Sequence, residues 1–185
     1  MADDGIWQEM VDLYQQPGMA EHCLLCQDRL GLSVTAMLSL ILLAVDGRGA
    51  IRPSAAAEIA AESGRWQVDV LRPLRQARDA LKARLRTDPV PGLAELRTGL
   101  LARELDAERI EQRLVLALAD RPGARVPASD PLADASSALA RYLLALPCSP
   151  DIESRQRLCA ILSAALPDYD GLDIIRSFDL ALRVG

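Results

Sequence analysis

The sequence predicts an all-α fold, a single helical-bundle-like domain of eight to ten helices. Leu and Ala together supply 61 of the 185 residues, and both are strong helix formers. Val, Ile and Thr number only 9, 9 and 3, and all aromatic residues together number 6, whereas sheets favour β-branched and aromatic side chains. A chain of this length buries enough surface to fold without disulfides or metals.

Start and stop signals mark three helices in the first 50 residues. Asp3 or Asp4 can cap the first helix, which carries apolar residues as far as Tyr14 and ends before Pro17-Gly18. The next two helices are expected over Met19 to Leu30, before Gly31, and over Val34 to Val45, after the N-cap Ser33. The third is apolar over 12 residues, well short of the roughly 20 that span a bilayer, so we interpret it as a core helix.

Three further helices follow a Gly-rich break. Ser54 opens an Ala-rich helix that Gly64 is expected to close. The next helix covers Val68 to Arg86 and carries Pro73 near its start, where proline either begins the regular helix or kinks it. A long helical pattern then runs from Leu93 to Ala119.

The remainder of the chain predicts a linker and three more helices. Residues 121–130 contain two prolines and a glycine without hydrophobic periodicity. The three helices are expected to open at Asp130-Pro131, at Ser149-Pro150 and at Asp168 or Asp170. We therefore expect a core over residues 1–120, a linker over 121–130, and a three-helix extension over 131–185 packed on the core.

The charge distribution excludes one class of partner and leaves another open. A net charge of −5 argues against nucleic-acid binding, which depends on clustered Lys and Arg. Residues 1–47 carry a charge of −6, residues 48–86 carry +5 and residues 87–120 carry −3. The first two blocks can pack against each other within the fold, or the basic block can face an acidic protein partner or an anionic ligand.

The N-terminal residues favour a cytoplasmic protein. They carry acids rather than a basic stretch, and no apolar signal-peptide core follows them. The four cysteines then suit a reducing compartment. We expect no membrane association, and the sequence leaves the oligomeric state open.

No familiar catalytic signature is present. The chain has one histidine and lacks nucleophile-elbow, phosphate-loop and dinucleotide-binding motifs, so we assign no catalytic residue and no cofactor. The most suggestive motif is His22-Cys23-x-x-Cys26, which has the elements of a redox dithiol or of part of a zinc site. Helical geometry favours core cysteines instead, because both share an apolar arc with Leu30 while His22 points away. We assign no metal site.

Polar residues on apolar helix faces are the better candidates for a site. Gln27 is expected on the apolar arc of the second helix, so that its amide is buried and hydrogen-bonded. Arg78 projects about 40° from the centre of the apolar face of the fifth helix, so its guanidinium is expected to be partly buried against a carboxylate or carbonyl. The basic residues beside that face are Arg72, Arg75, Lys82 and Arg86. They form either a solvated edge or an anion-binding row.

Two segments resemble a known family. The first is Leu13-Tyr14, Pro17-Gly18 and the run from Cys23 to Arg29; the second contains Trp66, Arg72-Pro73-Leu74-Arg75, Arg78 and Leu81-Lys82. Together with Glu104-Leu105 and the run from Glu108 to Glu111, they resemble an uncharacterised bacterial family classed as domain of unknown function 2390. The resemblance covers about residues 6–120 and implies a small helical cytoplasmic protein with no established activity.

The resemblance also implies a polar network between the second and fifth helices. Its expected members are Gln27, Asp28, Arg72, Arg75, Arg78 and Lys82, with Trp7, Tyr14 and Trp66 as apolar walls. The leading interpretation is a non-catalytic protein-interaction or adaptor module with a partner of acidic surface. The alternative is a cleft in these residues that binds a small carboxylate or phosphate ligand, with or without catalysis.

Overall fold

The computed structural model confirms the all-α class. It describes residues 2–88 and 90–184, and the side chains of residues 2–4, including the expected caps Asp3 and Asp4, lie outside the described set. Within the described residues the only β pairing is an isolated bridge between Ile51 and Arg125. The helices are α1 Ala2–Tyr14, α2 Met19–Leu30, α3 Val34–Leu43, α4 Pro53–Trp66, α5 Arg72–Thr87, α6 Leu93–Ala119, α7 Pro131–Leu144, α8 Ile152–Ala165 and α9 Gly171–Val184.

Three predicted caps are confirmed, whereas the prediction that Ser54 opens the fourth helix is wrong, because α4 begins at Pro53 and its N-cap, Arg52, makes no side-chain hydrogen bond. The Oγ of Ser33 accepts a hydrogen bond from the backbone N–H of Ala36 at 3.1 Å, and Asp130 and Asp170 cap α7 and α9 in the same way. The prediction that Ser149-Pro150 opens α8 is wrong. Asp151 is the N-cap and accepts from Ser154 N–H at 2.8 Å, since a carboxylate both accepts this bond and interacts favourably with the helix dipole.

The prediction that Gly64 closes the fourth helix is also wrong. α4 continues through Gly64 to Trp66, and a π-helical turn over Gln67–Leu71 joins it to α5. Glycine inside a helix costs roughly 0.5–1 kcal/mol. Tertiary contacts offset this cost here, because Ser63 is buried and the indole N–H of Trp66 donates to the carbonyl of Ala107 at 3.0 Å.

The π-helical turn precedes the proline of α5. The backbone N–H of Arg72 bonds to the carbonyl of Gln67, five residues back. Pro73 has no N–H to donate, and it lies in the first turn of α5. Pro73 therefore begins the regular helix, which was one of the two predicted outcomes.

The core is centred on α3, where nine of the ten residues are buried. Helices α1, α6 and α7 pack against α3, while α8 packs against α2 and α9 against α7. Residues 121–130 run beside residues 50–52, where Arg52 N–H donates to Ala124 and Val126 N–H donates to Ala50 at 2.8 and 2.9 Å. The division into core, linker and extension stays a prediction.

The hairpin of α5 and α6 lies at the edge of the fold. No side chain of α5 is fully buried, and its leucines are half-buried on the side that packs against α6. This arrangement turns Arg75 and Arg78 of α5 towards the acids of α6.

Among the described helices, no single helix is both long enough and apolar enough to cross a membrane. Only the segments Met19–Leu30 and Val34–Arg48 taken together reach that length and composition, and they meet at a bend of 116°.

Candidate functional site

Two adjoining clefts lie between the N-terminal helices and the α5–α6 hairpin. The first, which we call the apolar cleft, has a volume of about 250 Å³. Its apolar walls come from α1, α2, α3 and α6 and include Trp7, Val11, Tyr14, Leu24, Val34, Leu38 and Leu105. The second, which we call the polar cleft, has a volume of about 340 Å³ and lies between α2 and α5. Its polar residues include Gln27, Asp28, Arg72, Arg75, Gln76 and Asp79.

The two clefts share Gln27, Gln67 and Arg75 in their walls. The guanidinium of Arg75 is held between two acceptors. Its Nη2 donates to Glu108 Oε1 at 2.8 Å and its Nη1 to Gln67 Oε1 at 3.2 Å. Because both sides of this ion pair are about one quarter exposed, Arg75 is positioned at the boundary of the clefts with part of its surface accessible.

Gln67 connects this boundary to the buried interior. It is the first residue of the π-helical turn, and its amide Nε2 donates to Glu111 Oε2 at 3.0 Å and lies 3.4 Å from Ser33 Oγ. The backbone N–H of Ser33 in turn donates to the hydroxyl of Tyr142 at 3.0 Å. A chain of hydrogen bonds thus runs from α7 through the N-terminus of α3 to Arg75. Single π turns inside helices are frequent at functional sites.

Glu111 is the most deeply buried acid among the described side chains, with no exposed surface. Burial raises the pKa of its carboxyl above the usual range, and the hydrogen bonds from Ser33, Gln67 and Ser63 lower the pKa by less than burial raises it. Its other carboxylate oxygen, Oε1, has no hydrogen-bond partner among the described residues. The folded state therefore binds a proton at Glu111 more readily than the unfolded state does.

This raised pKa predicts a pH dependence of stability. As pH rises from the ordinary glutamate value of about 4.5 towards the raised folded pKa, the folded state holds more protons than the unfolded state, so the free energy of unfolding falls. Glu111→Gln should remove this contribution and flatten the curve. Urea unfolding of both proteins across that pH range measures the difference, with Glu95→Gln, an exposed acid of α6, as control. Identical slopes for wild type and Glu111→Gln would contradict the prediction.

The structure confirms the expected partial burial of Arg78 and its carboxylate partner. Arg78 Nη1 donates to Glu104 Oε2 at 2.7 Å, and Arg78 Nη2 lies 3.1 Å from Asp79 Oδ1. The side chain of Glu104 is 4 % exposed and that of Arg78 is 24 % exposed. Arg78 lines neither cleft, however, so the predicted cluster of Gln27, Asp28 and Arg78 does not form.

The expectation of a buried, hydrogen-bonded Gln27 is wrong. Gln27 is half-buried, and its amide has no hydrogen bond within the described part of the chain. The buried residues of α2 are Met19, Cys23, Cys26 and Leu30. At 100° per residue, Gln27 lies about 70° from the centre of their arc, which turns it towards the clefts. Asp28 is exposed and lines the polar cleft.

The predicted basic row divides into three environments. Arg75 and Arg78 bond to acids of α6. Arg72 is exposed, lines the polar cleft and meets no acceptor among the described residues. Lys82 is exposed and lies outside both clefts.

The predicted aromatic walls are partly in place. Trp7 and Tyr14 line the apolar cleft, and burial raises the pKa of the Tyr14 hydroxyl. Trp66 does not line either cleft, because its indole packs against α6 and bonds to Ala107. It anchors the junction of α4 and α5 instead.

Sequence reasoning missed the acids that hold this site together. Glu104, Glu108 and Glu111 occur at spacings of four and three on α6, which places them on one helix face. That spacing is the signal that could have identified them. The basic block of residues 48–86 therefore bonds through Arg75 and Arg78 to the acidic block of residues 87–120, and through Arg48 to Asp46 of residues 1–47.

The cysteines of α2 occupy the core as the helical geometry predicts. Cys23 and Cys26 have no exposed surface. Burial raises the pKa of Cys23 to about 12 and that of Cys26 to about 11, so both stay protonated at neutral pH. His22 bonds through Nδ1 to Arg157 at 3.1 Å. Across the described ranges, no three His, Cys, Asp or Glu side chains are grouped as metal ligands.

Comparison with known proteins places the chain in a family. None of the curated proteins and none of the solved structures compared with it is similar. A family model described as "Protein of unknown function (DUF2390)" matches residues 5–115, more than half of the chain. The match contains most of α1, all of α2 to α5 and most of α6, and with them both clefts. The chain therefore belongs to the DUF2390 family of proteins of unknown function.

Proposed function

We propose that the protein binds a small anionic ligand whose apolar body fills the apolar cleft and whose carboxylate or phosphate meets Arg72 in the polar cleft. The observation that carries this proposal is the meeting of the two clefts at Gln27, Gln67 and Arg75. Small-molecule sites in proteins typically combine apolar walls with a few converging polar groups. This boundary has that composition.

The apolar cleft has the volume for such a body. A cavity of about 150 Å³ already admits benzene, and the apolar cleft measures about 250 Å³. Its walls come from four helices besides α5, so the packing of α1, α2, α3 and α6 forms the cleft before any ligand arrives. Little ordering is then required on binding, which favours affinity.

Arg72 is the cation best suited to the anionic group. Arg75 already bonds to Glu108 and Gln67, so its charge is largely balanced. Arg72 has no such partner in the described residues, and its planar guanidinium can bind a carboxylate or phosphate through two parallel hydrogen bonds. Arg75 then contributes orientation and a fixed polar wall.

Thermal unfolding in the presence of 3-phenylpropanoate or phenyl phosphate tests this proposal. A ligand that binds the folded state stabilises it by about 2.7 kcal/mol at one hundred times its Kd, so Tm should rise with concentration. Arg72→Ala should abolish the rise, whereas Lys82→Ala, a base of α5 outside the clefts, should preserve it. A constant Tm for every carboxylate or phosphate with an apolar body would refute the proposal.

The interaction module that the sequence favours stays a prediction, as does its cytoplasmic location. Its support in the structure is the exposure of Lys82 and Arg86 on α5, where no carboxylate of the described residues pairs with them. Lys82 and Arg86 are therefore the members of the predicted basic row that stay available to an acidic partner. The two clefts combine apolar walls with polar residues that suit an anionic ligand, and we therefore favour the binding of a small ligand over a protein interaction.

A further inference from the structure

The polar cleft contains one acid and one base that have no partner. Arg75 bonds to Glu108, and Asp79 bonds to Arg78. Asp28 on α2 and Arg72 on α5 also line the cleft, but they form no ion pair with each other or with any other described side chain. The cleft thus offers two separate and opposite charges to a ligand.

We infer that the ligand is a free α-amino acid with a large apolar side chain, an inference that rests on the function proposed above. Its carboxylate binds Arg72, its ammonium binds Asp28 and its side chain enters the apolar cleft. This assignment uses the two charged residues of the polar cleft that form no ion pair with a described residue. A zwitterion also places no net charge in a cleft whose own charges balance.

Asp28 is the residue that favours an amino acid over a simple anion as the ligand. A carboxylate in the wall of the cleft repels a phosphate or dicarboxylate and so acts against such ligands. The same carboxylate attracts an ammonium group. An anion site would gain from an apolar or basic residue at position 28, whereas an amino-acid site requires an acceptor there.

Gln27 supplies the neighbouring polar contacts. Its amide lies in the wall of both clefts and has no hydrogen bond in the described structure. An amide carries both donors and an acceptor, so it can donate to the carboxylate and accept from the ammonium of one ligand. Its position where the clefts meet is the position of the α-carbon in the inferred pose.

Calorimetric titration with three matched probes tests the inference. L-phenylalanine carries both charges, 3-phenylpropanoate lacks the ammonium and 2-phenylethylamine lacks the carboxylate. We expect L-phenylalanine to bind at least tenfold more tightly than either of the other two. Asp28→Asn should bring the affinities for L-phenylalanine and 3-phenylpropanoate together, because it removes the partner of the ammonium and also the charge that repels a simple carboxylate, while Asp69→Asn, an exposed acid outside the clefts, should change neither.

The outcomes separate this inference from the proposed function. If 3-phenylpropanoate binds as tightly as L-phenylalanine, or if Asp28→Asn leaves the affinity for L-phenylalanine unchanged, the amino-acid assignment is wrong and the anion site stands. If neither L-phenylalanine nor 3-phenylpropanoate binds, the amino-acid assignment is wrong, and if phenyl phosphate does not bind either, the proposed function is wrong as well. Because Asp28 is exposed and has no partner, its substitution leaves the fold intact, and thermal unfolding of the free variant verifies this.

Discussion

Replacing Tyr142 by alanine is expected to lower the free energy of unfolding by about 3–5 kcal/mol, the range for deleting a large buried aromatic side chain. Tyr142 lies on α7 and is 1 % exposed. Its hydroxyl accepts the backbone N–H of Ser33 at the start of α3, at 3.0 Å. The substitution therefore leaves a cavity and also an unpaired N–H at the N-terminus of the central helix.

Tyr142→Phe separates these two losses. It keeps the ring and removes only the acceptor, so we expect a loss of about 1–3 kcal/mol. Urea unfolding followed by circular dichroism measures both variants. A single transition that shifts as a whole indicates that α7 and α3 unfold together. Two results would show instead that the C-terminal helices fold independently: a change confined to a minor second transition, or an effect of Tyr142→Ala below about 1 kcal/mol.

Arg78→Ala is expected to destabilise the protein by about 1–3 kcal/mol. The substitution removes the cation that faces Glu104 at 2.7 Å and leaves a carboxylate whose side chain is 4 % exposed. Burial already raises the pKa of Glu104, and Arg78 is the strongest influence that lowers it. Without the guanidinium, the carboxylate is a buried charge with no compensating partner.

A double-mutant cycle verifies the cause of this loss. Glu104→Gln in the Arg78→Ala background removes the orphaned charge and should recover part of the stability. Arg84→Ala, which breaks an exposed pair with Asp88, is the matched control and should cost less than 0.5 kcal/mol. An equal effect of Arg78→Ala and Arg84→Ala would show that the contact with Glu104 contributes nothing.

Helix boundaries could be predicted from the sequence where a local signal sets them. The bounds of α2 and α6 agree with the prediction, because Gly31 and the Pro-Gly pair before α6 interrupt the helical pattern directly. The prediction that Gly64 ends the fourth helix used the same kind of local signal and was wrong. A local preference of roughly 1 kcal/mol is outweighed when Trp66 bonds to another helix, and no local pattern encodes that bond.

The candidate site could be predicted only in outline. The family resemblance implied a polar network between α2 and α5, and the structure has a cleft between these helices that is lined by Arg72 and Arg75. Gln67 and Glu111 could not be found in this way, because their meeting depends on a π-helical turn and on the packing of α6. The predicted apolar arc of α2 includes Ala20, which is only half-buried, and this places Gln27 nearer to the core than the structure does.

The π-helical turn before α5 also fixes a rotational register. A π turn contains one residue more than the α-helical ladder requires, and one residue corresponds to 100° about the helix axis. This one extra residue therefore sets the rotation of every α5 side chain relative to α4. In an uninterrupted α-helix, Arg75 and Arg78 would point away from Glu108 and Glu104, and Arg72 would leave the polar cleft. The length of that turn therefore sets where the positive charges of α5 are presented.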